Sequence, residues 1–133
     1  MKRIIVFGAS GRTGRMVVKY GLEAGYHITA FDSGHHHILT PQSGLDLHTG
    51  NVYDKEAVIK LIEGHDAVIS TLGTSDIHTD AVNLMSDAMK IFTEAMNKYG
   101  IKRVLAVGGL AVLQLNESMQ MIDKADYPTE YKN

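Results

Sequence analysis

The chain has 133 residues, a length that suits one domain with a real core. Its 44% hydrophobic and 21% charged residues describe an ordinary globule, and a net charge of −2 gives no electrostatic case for nucleic acid or an anionic membrane surface. With no cysteine, disulfides, thiolate catalysis and Cys-based zinc sites are excluded, and no stretch is apolar for long enough to span a bilayer.

The first predicted strand is Arg3 to Phe7. It runs directly into Gly8-Ala9-Ser10-Gly11-Arg12-Thr13-Gly14. The glycines in this Gly-x-x-Gly-x-x-Gly pattern have separate uses. Gly8 permits a tight turn off the strand, Gly11 lets backbone approach a pyrophosphate, and Gly14 lets the following helix pack closely on the sheet. That helix is predicted over Arg12 to Ala24, with Met16, Val17, Tyr20 and Leu22 as its apolar surface and Gly25 as its stop. Its N-terminus offers unpaired N–H groups and partial positive charge to an anion. A Gly-rich turn can be merely structural, but between a buried-type strand and an amphipathic helix it points to a bound dinucleotide.

A second strand, Tyr26 to Phe31, ends at Asp32. Ser33 to Ser43 is a polar loop containing His35-His36-His37. Three consecutive imidazoles on extended chain point to alternate sides, so a solvated loop is the simpler reading than a metal site. Leu45 to Thr49 is a weak third strand, and Gly50 to Asp54 a turn in which Asp54 can cap a helix over Lys55 to Glu63. A fourth strand covers Ala67 to Leu72. A long helix, Thr79 to Tyr99, carries apolar residues at helical spacing, with Met85, Met89 and Met96 read first as core and second as interface. Asp76, His78 and Asp80 precede it. His78 is conceivable as a proton donor, while capping by Thr79 or Asp80 explains the same residues more simply. A fifth strand is predicted over Arg103 to Val107, with apolar character continuing to Leu113. The alternation implies an α/β, Rossmann-like doubly wound parallel sheet of order 3-2-1-4-5, with a ligand over the carboxyl ends of strands one and four. Residues 1–113 form this domain, and 114–133 a polar tail that is partly ordered or contacts another subunit.

The Gly8–Gly14 loop resembles the Gly-Ala-Thr/Ser-Gly-x-Thr-Gly loop of atypical short-chain dehydrogenases, above all NmrA-like proteins and the flavin reductase/biliverdin reductase B type. Gly64-His65-Asp66-Ala67-Val68-Ile69-Ser70-Thr71-Leu72-Gly73 is similar to their Gly-x-Asp-x-Val-x-x-x-x-Gly segment. Glu94-Ala95-Met96 through Gly100-Ile101-Lys102-Arg103-Val104 looks like the end of their fourth helix and the start of their fifth strand. The resemblance implies that Ser10, Gly11, Arg12 and Thr13 contact phosphates, that Asn51 and Val52 lie beside adenine, and that Thr71, Leu72 and Gly73 line the nicotinamide-side ribose.

There are departures. NADP-preferring relatives place an Arg near Ser33. Here Asp32 and Ser33 stand instead, and a carboxylate in this place accepts from the ribose hydroxyls and repels a 2′-phosphate. Arg12 pulls the other way as a clasp for that phosphate, or is simply a solvated charge. The cofactor is therefore NAD(P)(H), leaning to NAD. Gly108-Gly109 replaces the hydroxyl residue relatives often carry after strand five, and there is no Tyr-x-x-x-Lys pair, so no catalytic side chain is identified. Relatives also continue beyond the equivalent of Asn133 with a sixth strand and a substrate-covering segment. The uncovered apolar edge at strand five then predicts a homo-oligomer or a fragment of a longer parent; a monomer by light scattering with a well-ordered tail counts against both.

These readings give an NAD(P)H-binding oxidoreductase, cytoplasmic by default, with a flavin or quinone-like small molecule as the acceptor that the resemblance implies. The alternatives are a non-catalytic NAD(P)-binding regulatory module and a truncated inactive homologue. Nucleic acid and membrane are not expected partners.

Overall fold

A computed structural model of the chain describes residues 1–34, 39–73, 83–108, 114–124 and 126. Five parallel strands, β1 (Arg3–Phe7), β2 (His27–Asp32), β3 (Leu45–Thr49), β4 (Ala67–Ser70) and β5 (Val104–Ala106), form one sheet of order β3-β2-β1-β4-β5. The register places Phe7 opposite both Phe31 and Ser70, so the three central strands end at one level. Among the described residues three helices flank the sheet: α1 (Arg12–Glu23), α2 (Lys55–Ile62) and α3 (Leu84–Tyr99).

Alternation along the strands divides the core in two. Ile5, Phe7, Phe31 and Val68 face α2 and α3, meeting Val58, Ile62, Ala88, Phe92 and Ala95. Val6, Ile28 and Ala30 face α1 and meet Val18. Phe7 is the hub of the first layer, its ring stacked on Phe92 at 4.1 Å and tilted against Phe31 at 5.1 Å. Burying such a side chain is worth roughly 1.5–3 kcal/mol, so this trio is a principal anchor of the sheet's carboxyl end. Asp54 caps α2 as expected, its Oδ1 accepting from the Ala57 N–H at 3.2 Å. Gly100 ends α3 in the left-handed region, φ +70°.

Several boundaries and burial assignments differ from those read in the sequence. Asn83 is the N-cap of α3, so the helix begins at Leu84; residues 74–82, with Asp76, His78, Thr79 and Asp80, lie outside the described residues. His35-His36-His37 and Gly109 lie outside them as well. Met16 and Tyr20, read as packing residues of α1, are exposed, Tyr20 at 57%. On the α1 face, cover among the described residues extends over β3, β2 and β1 and partly β4, while Leu105 on β5 is 60% exposed and Val107 is exposed beside it. Met96 is core, whereas Met85 is exposed. The segment after residue 113 contains a small antiparallel pair not anticipated from its sequence, β6 (Gln114–Asn116) with β7 (Met119–Gln120), followed by a single 3-10 turn at Met121–Asp123. No helix among the described residues is long and apolar enough to cross a membrane.

Candidate dinucleotide site

The loop leaving β1 is held from three sides. The N–H groups of Gly8 and Ala9 both donate to the Phe31 carbonyl, at 3.1 and 3.2 Å, tying the loop to β2. Gly11 N–H donates back to Gly8 O at 3.1 Å, closing the turn. On the β4 side, the Thr71 N–H donates to Phe7 O at 2.9 Å, and its hydroxyl reaches the carbonyl oxygens of Phe7 and Gly8 at 2.9 and 3.0 Å.

Two of the three glycines are required by the fold itself. Gly8 has φ +75°, and a Cβ there would stand 3.0 Å from the backbone of Thr71 and Leu72. A Cβ on Gly14 would lie 2.1 Å from Gly8 O and 2.8 Å from Ala9 Cα, so α1 crosses the loop in direct backbone contact. Gly11 is different. It is exposed, has φ −68°, and its Cβ would meet only Gly8 O at 3.2 Å. Its lack of a side chain leaves the outer surface of the loop open to something approaching from solvent.

The start of α1 has the character of an anion site. Gly11 is its N-cap, no side chain caps the terminus, and no acidic residue lies in the first turn. Arg12 and Arg15 stand there instead, and among the described residues neither forms an ion pair. A cation at a helix N-terminus opposes the dipole. The arrangement is electrostatically favourable only once an anion sits between the amides and the guanidinium. Ser10 is buried next to this opening, while Thr13 is exposed.

At the tip of β2, Asp32 Oδ1 accepts the Gly34 N–H at 2.6 Å, which fixes the carboxylate and leaves Oδ2 for another donor. Gly34 has φ +80°, and a Cβ on it would stand 2.6 Å from Thr49 Cγ2, so no larger residue fits the turn as it stands. Ser33 is exposed beside it. In the turn after β3, Asn51 Oδ1 accepts from the Tyr53 N–H at 2.9 Å, which leaves its amide NH₂ as the group free to face outward. Val52, by contrast, packs its side chain into the core near Phe31, so only its backbone remains for a ligand.

The carboxyl ends of β1, β2 and β4 thus bring together Gly8, Ser10, Gly11, Arg12, Thr13, Gly14, Asp32 and Thr71. Leu72 packs partly against the core and Gly73 is exposed just beyond. The Thr71 hydroxyl turns inward to the loop, a bracing role that a threonine at a strand end does not announce in sequence. Among the described residues no group of His, Asp and Glu is arranged to hold a metal ion. Open amides and a guanidinium suit phosphate oxygens, and a fixed carboxylate suits hydroxyl donors.

Comparison with known proteins agrees with this fold. A Burkholderia pseudomallei protein assigned as an exported protein superposes with a TM-score of 0.78 at 25% identity, over 99% of this chain and 60% of its own. A Streptococcus pneumoniae protein assigned as an NADH-flavin reductase gives 0.80 at 24% identity, over 99% and 60%. The Bordetella bronchiseptica enzyme WbmG, solved in complex with NAD, gives 0.68 at 22% identity, over 78% and 36%. The chain thus spans about 60% of the length of the first two. Residues 8–131 match the family described as NAD(P)H-binding, from the first glycine of the loop almost to the end of the chain, and the protein belongs to that family.

Proposed function

We propose that this chain is the dinucleotide-binding part of an oxidoreductase that uses NADH in preference to NADPH and delivers hydride to a flavin or quinone-like acceptor. The observation that carries the reading is the uncapped, acid-free N-terminus of α1 with Arg12 upon it, set against the Gly8–Gly14 loop. Open amides at Ser10, Arg12 and Thr13 and the Arg12 guanidinium hold the diphosphate, and Gly11 gives it room. Asp32 accepts from the adenosine ribose. Its negative charge, held by the Gly34 N–H, opposes a 2′-phosphate. Asn51 offers its NH₂ to an adenine nitrogen.

When bound, a reduced nicotinamide supplies the hydride. The chain's own contribution is position: the loop fixes the diphosphate, and with it the distance from that anchor to the end of β4. No acid is assigned, and transfer to a flavin runs on alignment of donor and acceptor. The flavin or quinone-like acceptor rests on the resemblance of the loop and β4 motifs, with the S. pneumoniae neighbour as support.

The test is fluorescence titration with NADH and NADPH, together with NADH oxidation in the presence of FMN. NADH binds at least tenfold more tightly than NADPH, and Asp32→Asn narrows that ratio by removing the charge. Gly11→Val weakens NADH at least tenfold while the circular dichroism stays unchanged. Equal binding by Gly11→Val removes the diphosphate assignment. Tight NADH binding without turnover leaves the site and removes the oxidoreductase.

A further inference from the structure

The amino ends of the strands, at the opposite pole from the loop, carry a second concentration of charge. Lys2, Lys102 and Arg103 line a cleft of about 480 Å³ together with Tyr26, Tyr99 and a single acid, Asp66. Asp66 Oδ2 already accepts the Arg3 N–H at 2.7 Å. Arg3 itself flanks the cleft, its guanidinium 3.9 Å from Asp46, and Lys98 lies over the Tyr99 ring at 5.2 Å. Lys2, Arg3, Lys102 and Arg103 are four of the thirteen Lys and Arg residues in a chain whose net charge is −2. Among the described residues Lys2, Lys98, Lys102 and Arg103 form no ion pair.

Such charge clustering has a cost that something must offset. The carboxyl end of α3 at Gly100 attracts cations, but a helix terminus presents about half a unit of negative charge, against three lining cations and one carboxylate. His65, which also lines the cleft, is held below the ordinary histidine value by burial, and the positive charge of Arg3 adds to that shift.

We infer that this cleft binds a multiply charged phosphate compound of the nucleoside polyphosphate class, at a site separate from the dinucleotide site. Ammonium and guanidinium groups take the phosphates, the guanidinium of Arg103 being suited to two oxygens at once. The two tyrosine rings give a base an aromatic surface. The volume falls within the range of small-molecule pockets, roughly 300–1,000 Å³. One β1 strand, about 16 Å at the usual rise, separates the cleft from the loop, so both sites can be filled together.

The experiment is an amide chemical-shift titration of the whole chain with ATP, and separately with inorganic tripolyphosphate. ATP is expected to shift the Gly100, Ile101 and Lys102 signals saturably below about 1 mM at low salt, with affinity falling as salt rises. The double variant Lys102→Glu/Arg103→Glu weakens this response at least tenfold and leaves the Gly8 to Gly14 signals as they are in the parent protein. Both side chains are exposed; should that variant not fold, Lys2→Glu carries the same expectation. Shifts confined to residues 8 to 14, or undiminished binding by the variant, overturn the site. Tripolyphosphate binding as tightly as ATP overturns the nucleoside class. The readout is local, so the result does not depend on how the dinucleotide behaves.

Discussion

Replacing Gly14 by alanine is the sharpest probe of how α1 meets the sheet. The new methyl would stand 2.1 Å from Gly8 O, 2.8 Å from Ala9 Cα and 2.8 Å from Thr71 Oγ1, where ordinary contact begins at 3.4 Å. Two of the obstacles are backbone, so the helix must lift by about 1 Å or the loop must be pushed away. Overpacking costs about 1–3 kcal/mol, and a rigid backbone obstacle places this case near 3. Alanine returns about 0.5–1 kcal/mol through its better helix propensity, leaving a net loss of about 2 kcal/mol. With a urea slope near 2 kcal/mol/M, the unfolding midpoint falls by about 1 M. Gly21→Ala is the matched control. It lies in the same helix, but its Cβ meets only the Ile28 side chain, Cδ1 at 2.7 Å and Cγ1 at 3.2 Å, with no backbone in the way, and its midpoint should fall by less than that of Gly14→Ala. Gly14→Ala should also weaken NADH, because the lifted helix carries the anion-binding amides with it. An unchanged midpoint and unchanged NADH affinity in Gly14→Ala would refute the close-packing account of the loop.

Two further predictions rest on hydrogen bonds. Thr71→Val keeps the shape of the side chain but removes the hydroxyl that reaches the Phe7 and Gly8 carbonyls. It should cost about 1 kcal/mol in chemical denaturation and loosen the loop, visible as faster amide exchange at Gly8 and Ala9. His65 is 7% exposed; its Nδ1–H donates to Ile62 O at 3.2 Å, and Nε2 accepts from the Thr29 hydroxyl at 2.7 Å. Burial lowers its pKa below 6.5, so the unfolded chain takes up this proton first as pH drops. Stability from this residue is therefore complete above pH 6.5 and declines as pH falls below it through the folded value. Denaturation at pH 7.5 and 5.5 should show a smaller difference in His65→Gln than in the parent, and equal differences would remove His65 as the source.

Much of the architecture is legible in the chain because its signals are local and redundant. The strand order follows from short apolar runs alternating with amphipathic helices, and the loop from three glycines placed between a strand and a helix. Asp54 reads correctly as a cap because its position before Lys55 admits little else. Surface relations are less legible. Met16, Tyr20 and Leu105 have the periodicity of packing residues, yet which sheet face a helix covers is decided by elements far away in the sequence. Thr71 could equally have faced a ligand or the loop, and only the approach of β4 to Gly8 selects the second. The strands at Gln114 and Met119 are too short for alternation to mark them. The cleft at the opposite pole is invisible for a related reason: its lysines and arginines come from the starts of different strands, and the net charge hides them.

Phe7 joins the aromatic stack to the glycine turn, since the next residue is Gly8 and its own carbonyl receives the Thr71 N–H. The turn therefore inherits its place from the interior, with no slack between them. Ligand affinity becomes a gauge of interior order: a substitution that merely lets Phe92 shift will register as poorer retention of the nucleotide before any unfolding is seen. The converse follows by linkage, because occupancy of the turn raises melting temperature in step with the logarithm of free ligand.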